Sequence, residues 1–182
     1  MKATGIVRRI DDLGRIVIPK EIRRTMRIRE GDPMEIFTSR EGEILLKKYS
    51  PVGELGEFAM ALAESMAQTL GELVCITDRD YVIAAAGNGK KEVEGKVLSE
   101  QLQSTIDQRI FRVCSREEKE YIQMIQEEIR DYETQAIATI LSHGDSIGAV
   151  LILGKENSTN TGEVLLQVAK TAAGFLGKHM EQ

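Results

Sequence analysis

The sequence predicts two domains of different class in one chain: a small β-rich module over residues 1–50, and an α+β domain with an antiparallel sheet and flanking helices over residues 51–182. Three observations carry this. Short β-branched runs separated by turn formers dominate the first fifty residues, whereas later strand-like pairs lie between helical stretches. Ser50-Pro51-Val52-Gly53 interrupts the pattern between the two. The balance of charge also reverses there: residues 1–50 hold 12 Lys and Arg against 8 Asp and Glu, and the remainder hold 12 against 21. A net charge of −5 therefore hides a basic module fused to an acidic one, and the basic end is where a polyanion would bind.

Thr4 to Ile10 and Arg15 to Ile18 read as strands of a hairpin around the turn Asp11-Asp12-Leu13-Gly14. Pro19 suits the first turn of a helix, where its missing N–H would be unpaired anyway, and Lys20 to Met26 continue it. On that helix Lys20, Arg23, Arg24 and Arg27 fall on one stripe, and Ile18, Ile22 and Met26 on another. Met34 to Ser39 and Ile44 to Tyr49 make two further strands around Arg40-Glu41-Gly42, giving β-β-α-β-β. Only 19 of these fifty residues are apolar, which is thin for an independent core. Oligomerisation is the expected remedy: two copies that interleave their hairpins cover each other's strand edges and merge two half-cores.

In the second domain Leu55 to Leu70 reads as an amphipathic linking helix with Leu55, Phe58, Ala59, Leu62, Met66 and Leu70 on its apolar side. It can serve as core, as an oligomer seam, or as both. Glu72 to Thr77 and Tyr81 to Ala86 pair across Asp78-Arg79-Asp80, and Val97 to Gln108 is helical. Residues 112–133 are densely charged and helical in propensity. Ala136 to Ser142 and Ser146 to Leu153 form a second hairpin around His143-Gly144-Asp145. Gly162 to Met180 closes the chain as a helix with Val164, Val168, Ala172, Phe175 and Leu176 inward. Two hairpins with first and last helices against them make an α+β domain.

Enzyme, metal and membrane signatures are missing from the sequence. Cys75 and Cys114 stand apart without C-x-x-C spacing or nearby histidines, which argues against zinc and disulfides. His143 and His179 share no ligand spacing. Gly87-Asn88-Gly89-Lys90-Lys91 fails the phosphate-loop pattern, having Ala84 where a glycine is needed and Lys91 where Ser or Thr is needed. Ser142, His143 and Asp145 are neighbours in one turn, and adjacent residues do not converge as a triad does. No catalytic residue, cofactor or metal is expected. With no leader pattern and no apolar run of membrane-spanning length, a cytoplasmic location is expected.

What remains is the group Arg8, Arg9, Arg15, Arg23 and Arg24. Guanidinium forks bind phosphates bidentately, reach guanine edges and release counterions condensed on DNA, so these five are the candidate DNA-binding residues. The segment TGIVRRIDDLGRIVIPKEIRRTMRI, followed by GDPMEIF and ILLKKY, resembles the N-terminal domain of AbrB-type transition-state regulators. GAVLILG and TAAGFLGKHMEQ, with the order of elements, resemble the tail of that family's two-domain members. The resemblance implies a swapped-hairpin barrel formed by two chains, a GAF-like C-terminal domain that assembles a tetramer, and DNA contacts from Arg8, Arg15, Arg23 and Arg24, with a basic residue at Arg9. It also implies activation and repression of late sporulation genes in the forespore.

The expected function is thus a DNA-binding transcription regulator whose partners are double-stranded DNA and copies of itself. Two alternatives stay open: an antitoxin-like DNA binder whose tail wraps a protein partner, and a regulator whose GAF-like domain senses an unknown small-molecule ligand.

Overall fold

A computed structural model describes residues 4–127, 129 and 132–181. The chain divides into two compact units at Tyr49/Ser50.

The first unit is built on helix α1 (Lys20–Thr25) and the antiparallel pair β1 (Met34–Thr38) and β2 (Ile44–Lys48), in register from Met34 opposite Lys48 to Thr38 opposite Ile44. The turn at Asp11–Gly14 is formed, with Gly14 N donating to Asp11 O and Asp11 N donating to Arg15 O. Its arms, Thr4 to Ile10 and Arg15 to Ile18, carry no strand ladder, which differs from the hairpin expected there. Their apolar residues explain the difference. Val7 is 86% exposed, and Ile6, Ile10, Leu13, Ile16 and Val17 also stand in solvent, so within one chain the arms have nothing to pair or pack against. Of residues 4–49 only Pro19 is buried.

In the second unit Ser50 caps a short helix α2 (Pro51–Glu54): its Oγ accepts from Gly53 N and donates to Asp78 Oδ2 at 2.8 Å, while Pro51 takes the first helical position. The expected linking helix thus starts earlier and breaks at Leu55, after which α3 (Gly56–Leu70) runs to Gly71, whose left-handed φ of 74° ends it.

Five antiparallel strands follow: β3 (Leu73–Thr77), β4 (Val82–Ala86), β5 (Phe111–Ser115), β6 (Thr134–Ser142) and β7 (Asp145–Gly154), in the order β4-β3-β7-β6-β5. His143 and Gly144 both take positive φ, the geometry of a two-residue turn that matches strand twist. Side chains alternate cleanly. Val74, Ile76, Ala138, Val150 and Ile152 face α3 and α6 (Gly162–His179), while Leu73, Cys75, Ile137, Leu151 and Leu153 face the opposite core with α4 (Lys90–Val93) and α5 (Glu100–Asp107). Each fully buried Leu or Ile contributes roughly 1.5–3 kcal/mol.

Two expectations are corrected. The charged stretch 112–133 is not helical: it begins in edge strand β5 and its described residues continue as a strap across the α5 face. Tertiary bonds override the helical propensity. Gln135 grips Ile122 by accepting from its N–H and donating to its C=O, Ser99 N donates to Met124 O, and Leu98 bridges Ile125, so that Met124 and Ile125 are buried. The segment Gly87–Lys91, which fails the phosphate-loop pattern, turns at Asn88-Gly89 and leads into the one-turn α4. Lastly, α6 is rotated by about one residue from the expected face. Leu165, Ala169, Ala172, Ala173, Leu176 and Gly177 face inward, leaving Val164 47% and Phe175 50% exposed. Small residues win the inward positions because the helix lies close on the sheet, and a Cβ on Gly177 would sit 2.0 Å from Leu141 O.

Gly177→Ala should therefore lower stability by about 1–3 kcal/mol. Gly174→Ala, on the same helix with open space around it, should be neutral or stabilising by up to ~1 kcal/mol. Thermal unfolding of the full chain distinguishes the two; equal effects would show that close packing does not govern this helix.

Candidate nucleic-acid interface

The five arginines lie on two elements of the first unit. Arg8 and Arg9 precede the Asp11–Gly14 turn and Arg15 follows it, while Arg23 and Arg24 form the last turn of α1; all five are exposed. Cations at a helix C-terminus complement the partial negative charge of its free carbonyls, and Glu21 complements the other end. The basic stripe is shorter than the expected four residues. The helix ends at Thr25, and Arg27 lies beyond it at φ 54°, half-buried and off the helical face.

One carboxylate organises each half of this surface. Asp11 Oδ1 accepts from Leu13 N at 3.0 Å and Arg15 N at 2.8 Å, and Oδ2 pairs with Arg15 Nε at 2.8 Å. These bonds from the Arg15 backbone and then its guanidinium hold the Asp11 carboxyl below the usual carboxylate range. Among the described residues, Arg15 is the only one of the five paired with an acid.

Asp32 does the equivalent work behind α1. Its carboxylate is only 2% exposed; Oδ2 accepts from Arg29 N at 2.7 Å and meets Lys48 Nζ at 2.9 Å, while the same Nζ donates to Arg27 O. The turn after α1 is thereby tied to β2, so the helix is held against the ladder by a half-buried ion pair. Neither carboxylate was a candidate from sequence. Asp32 lies in a Gly-Asp-Pro turn, where an aspartate is expected for local reasons alone.

Exposed, largely unpaired guanidiniums beside a pinned helix can take phosphates and base edges. The other chemistries have little material. Cys75 and Cys114 are free and buried, and desolvation pushes both thiols up. His179 stacks on Phe58 at 5.0 Å, while His143 sits in the β6–β7 turn. Among the described residues no group of His, Cys, Asp and Glu could hold a metal, and no helix is long and apolar enough to cross a membrane.

Comparison with known proteins places this geometry. Residues 7–54 match the family model for the MazE bacterial antitoxin, involved in antidote-toxin recognition, and residues 54–181 match that of the stage V sporulation protein T C-terminal region, described as a transcription factor. Stage V sporulation protein T of Bacillus subtilis is 52% identical over 182 residues, the full length of both chains. The transition state regulatory protein AbrB of the same organism is 49% identical over 69 residues, covering 35% of this chain and 71% of its own. In fold, the blue-light absorbing PixJ GAF domain of Thermosynechococcus elongatus superposes with a TM-score of 0.52 at 10% identity, over 74% of this chain and 89% of that one. An AbrB-like N-terminal domain joined to a GAF-like C-terminal domain, together with identity along the whole chain, makes this protein a member of the stage V sporulation protein T family.

Proposed function

We propose that this protein regulates sporulation genes, activating some and repressing others, by binding duplex DNA through a barrel built from the N-terminal modules of two chains. The observation that carries this is the pairing of five exposed arginines with an exposed apolar surface in the same fifty residues, within an otherwise acidic chain. Joining two modules would cover the apolar side chains and bring ten guanidiniums to one platform. Arg8, Arg9, Arg15, Arg23 and Arg24 are the DNA-binding residues on this reading, divided between phosphates and base edges. A second association through the C-terminal domains makes a tetramer. Its support is the outward apolar face of α3 and α6, where Phe175 lies 5.7 Å from Phe58 and is half exposed. The setting is the nucleoid, in the forespore.

An antitoxin-like role for the tail has less support. Segments that wrap a protein partner gain their order on binding, whereas residues 50–182 form a folded sheet domain with two cores. The family model that matches residues 54–181 is described as a transcription factor.

Three outcomes test the proposal. With roughly 6–10 phosphates neutralised, affinity of the full chain for duplex DNA should fall on the order of a thousandfold or more between ~50 and ~200 mM salt; a flat titration would reject it. Arg23→Ala and Arg24→Ala should each weaken binding on the order of tenfold and reduce the salt slope by about 1, with the solution mass unchanged. A variant that dissociated instead would put these residues at the interface between copies.

Asp11→Asn keeps an oxygen to accept from Leu13 N and Arg15 N but removes the charge that holds the Arg15 guanidinium. It should tighten DNA binding a few-fold at most, since an exposed ion pair is a weak hold. The depressed carboxyl sets the pH window. Its hold on Arg15 is complete above the ordinary carboxylate range and is lost only as pH falls through the lowered value. An NMR titration should therefore find the Asp11 midpoint below that of the same turn in an unfolded peptide.

A further inference from the structure

At one end of the GAF-like sheet lies a cleft of about 330 Å³. It is bounded by the turn after α3, the loop after β4, Tyr132 and the loop after β7. Its volume is at the small end for a metabolite site. The strap residues Met124 and Ile125 pack into the core with Leu98.

Glu72 is the feature that needs an explanation. The residue is only 6% exposed, yet it lines this cleft. Both of its side-chain hydrogen bonds, from Ser158 Oγ and from Asn160 Nδ2, arrive at Oε1. Oε2 accepts none and is not among the solvent-inaccessible unpartnered atoms, which leaves it open to the cleft. A carboxylate that is otherwise buried and keeps one unpartnered oxygen open to a cleft is suited to a cationic donor.

The cleft also holds a cation that does not fill that role. Lys155 Nζ lies over the Tyr132 ring, 5.8 Å from its centroid, and makes no ion pair with Glu72 or any other acid among the described residues. Tyr132 is itself fixed, its hydroxyl donating to Asn88 O at 2.8 Å. One small cleft thus presents an unneutralised carboxylate and an unneutralised ammonium that do not meet each other.

We propose that this cleft binds a small zwitterion, a free α-amino acid, whose ammonium meets Glu72 Oε2 and whose carboxylate meets Lys155. A lone anion would leave the buried Glu72 charge opposed, and a lone cation would face Lys155; only a molecule bearing both charges neutralises the two groups together. Asn157 and Asn88, at the rim, supply amides for the ligand's remaining polar atoms. Asn160 Nδ2 also donates to Leu70 O, so the loop that carries the site is anchored to the end of α3.

The test uses the full chain and the common L-α-amino acids as probes, each beside its decarboxylated amine and its N-acetyl derivative, with thermal unfolding as readout. At least one amino acid should raise Tm saturably, by about 3 °C or more at ~10 times its Kd. Its two monofunctional analogues should leave Tm unmoved. Lys155→Met, at a half-exposed position, should fold with unchanged circular dichroism and lose the shift; Glu72→Gln should lose it too where it folds. The proposal is overturned if no amino acid stabilises the wild type, if an analogue does so equally, or if the shift survives in Lys155→Met. Since no DNA enters the experiment, its failure would leave the DNA-binding proposal untouched.

Discussion

Apolar side chains that their own chain cannot bury are the constraint on which the rest of this protein depends. In the first forty-nine residues Val7, Ile10, Leu13, Ile16, Val17, Ile36 and Ile44 stand in solvent, and α1 has no buried residue at all. A module in this condition has apolar surface to offer a partner. Burial at roughly 25 cal/mol per Å² is the main favourable term open to so small a unit, and it is collected only when another surface arrives. On the proposed pairing of two modules, these side chains are the surface that would be covered, and the arginines would be gathered with them.

The polar interactions of that module make sense in this light. Asp11 closes the turn from within, and Asp32 ties the end of α1 to β2 through Lys48. Local bonds of this kind hold the shape of the arms and helix without a core. They also hold Arg15 at the end of a closed turn and Arg23 and Arg24 on a short helix. A cation on a flexible arm must lose its freedom on binding DNA, whereas one on a pinned helix has lost it already.

The second unit solves the same problem alone. Its sheet is covered on both faces, by α3 and α6 on one and by α4, α5 and the strap on the other, and its strands alternate between the two cores. Alanines and glycines on the sheet-facing sides of α3 and α6 bring helix and sheet close together. The larger Val164 and Phe175 are left pointing outward. Close packing inside and an apolar face outside are two results of one distribution of residue sizes.

Features that depend on neighbours along the chain were legible in the residues alone. Turn formers at His143-Gly144 and at Arg40-Glu41-Gly42 marked the hairpins, those at Asp11–Gly14 marked a turn, Pro19 marked the start of α1, and the reversal of charge at residue 50 marked the arginines as a group. These are local signals, because backbone dihedrals and helix or strand period are set within a few residues. Tertiary structure decided what depends on contacts between distant residues. The described residues of 116–133 became a strap because Gln135 and Val97 to Ser99 offered better partners for its backbone than its own helix would. The face of α6 rotated because Gly177 must pass Leu141 O, and the carboxylate of Glu72 came to line a cleft with Lys155, more than eighty positions away, because β3 pairs with β7. Side-chain period records how apolar a face is, but which face lies close to a neighbour, and which charge is left without a partner, are settled only when the chain closes on itself.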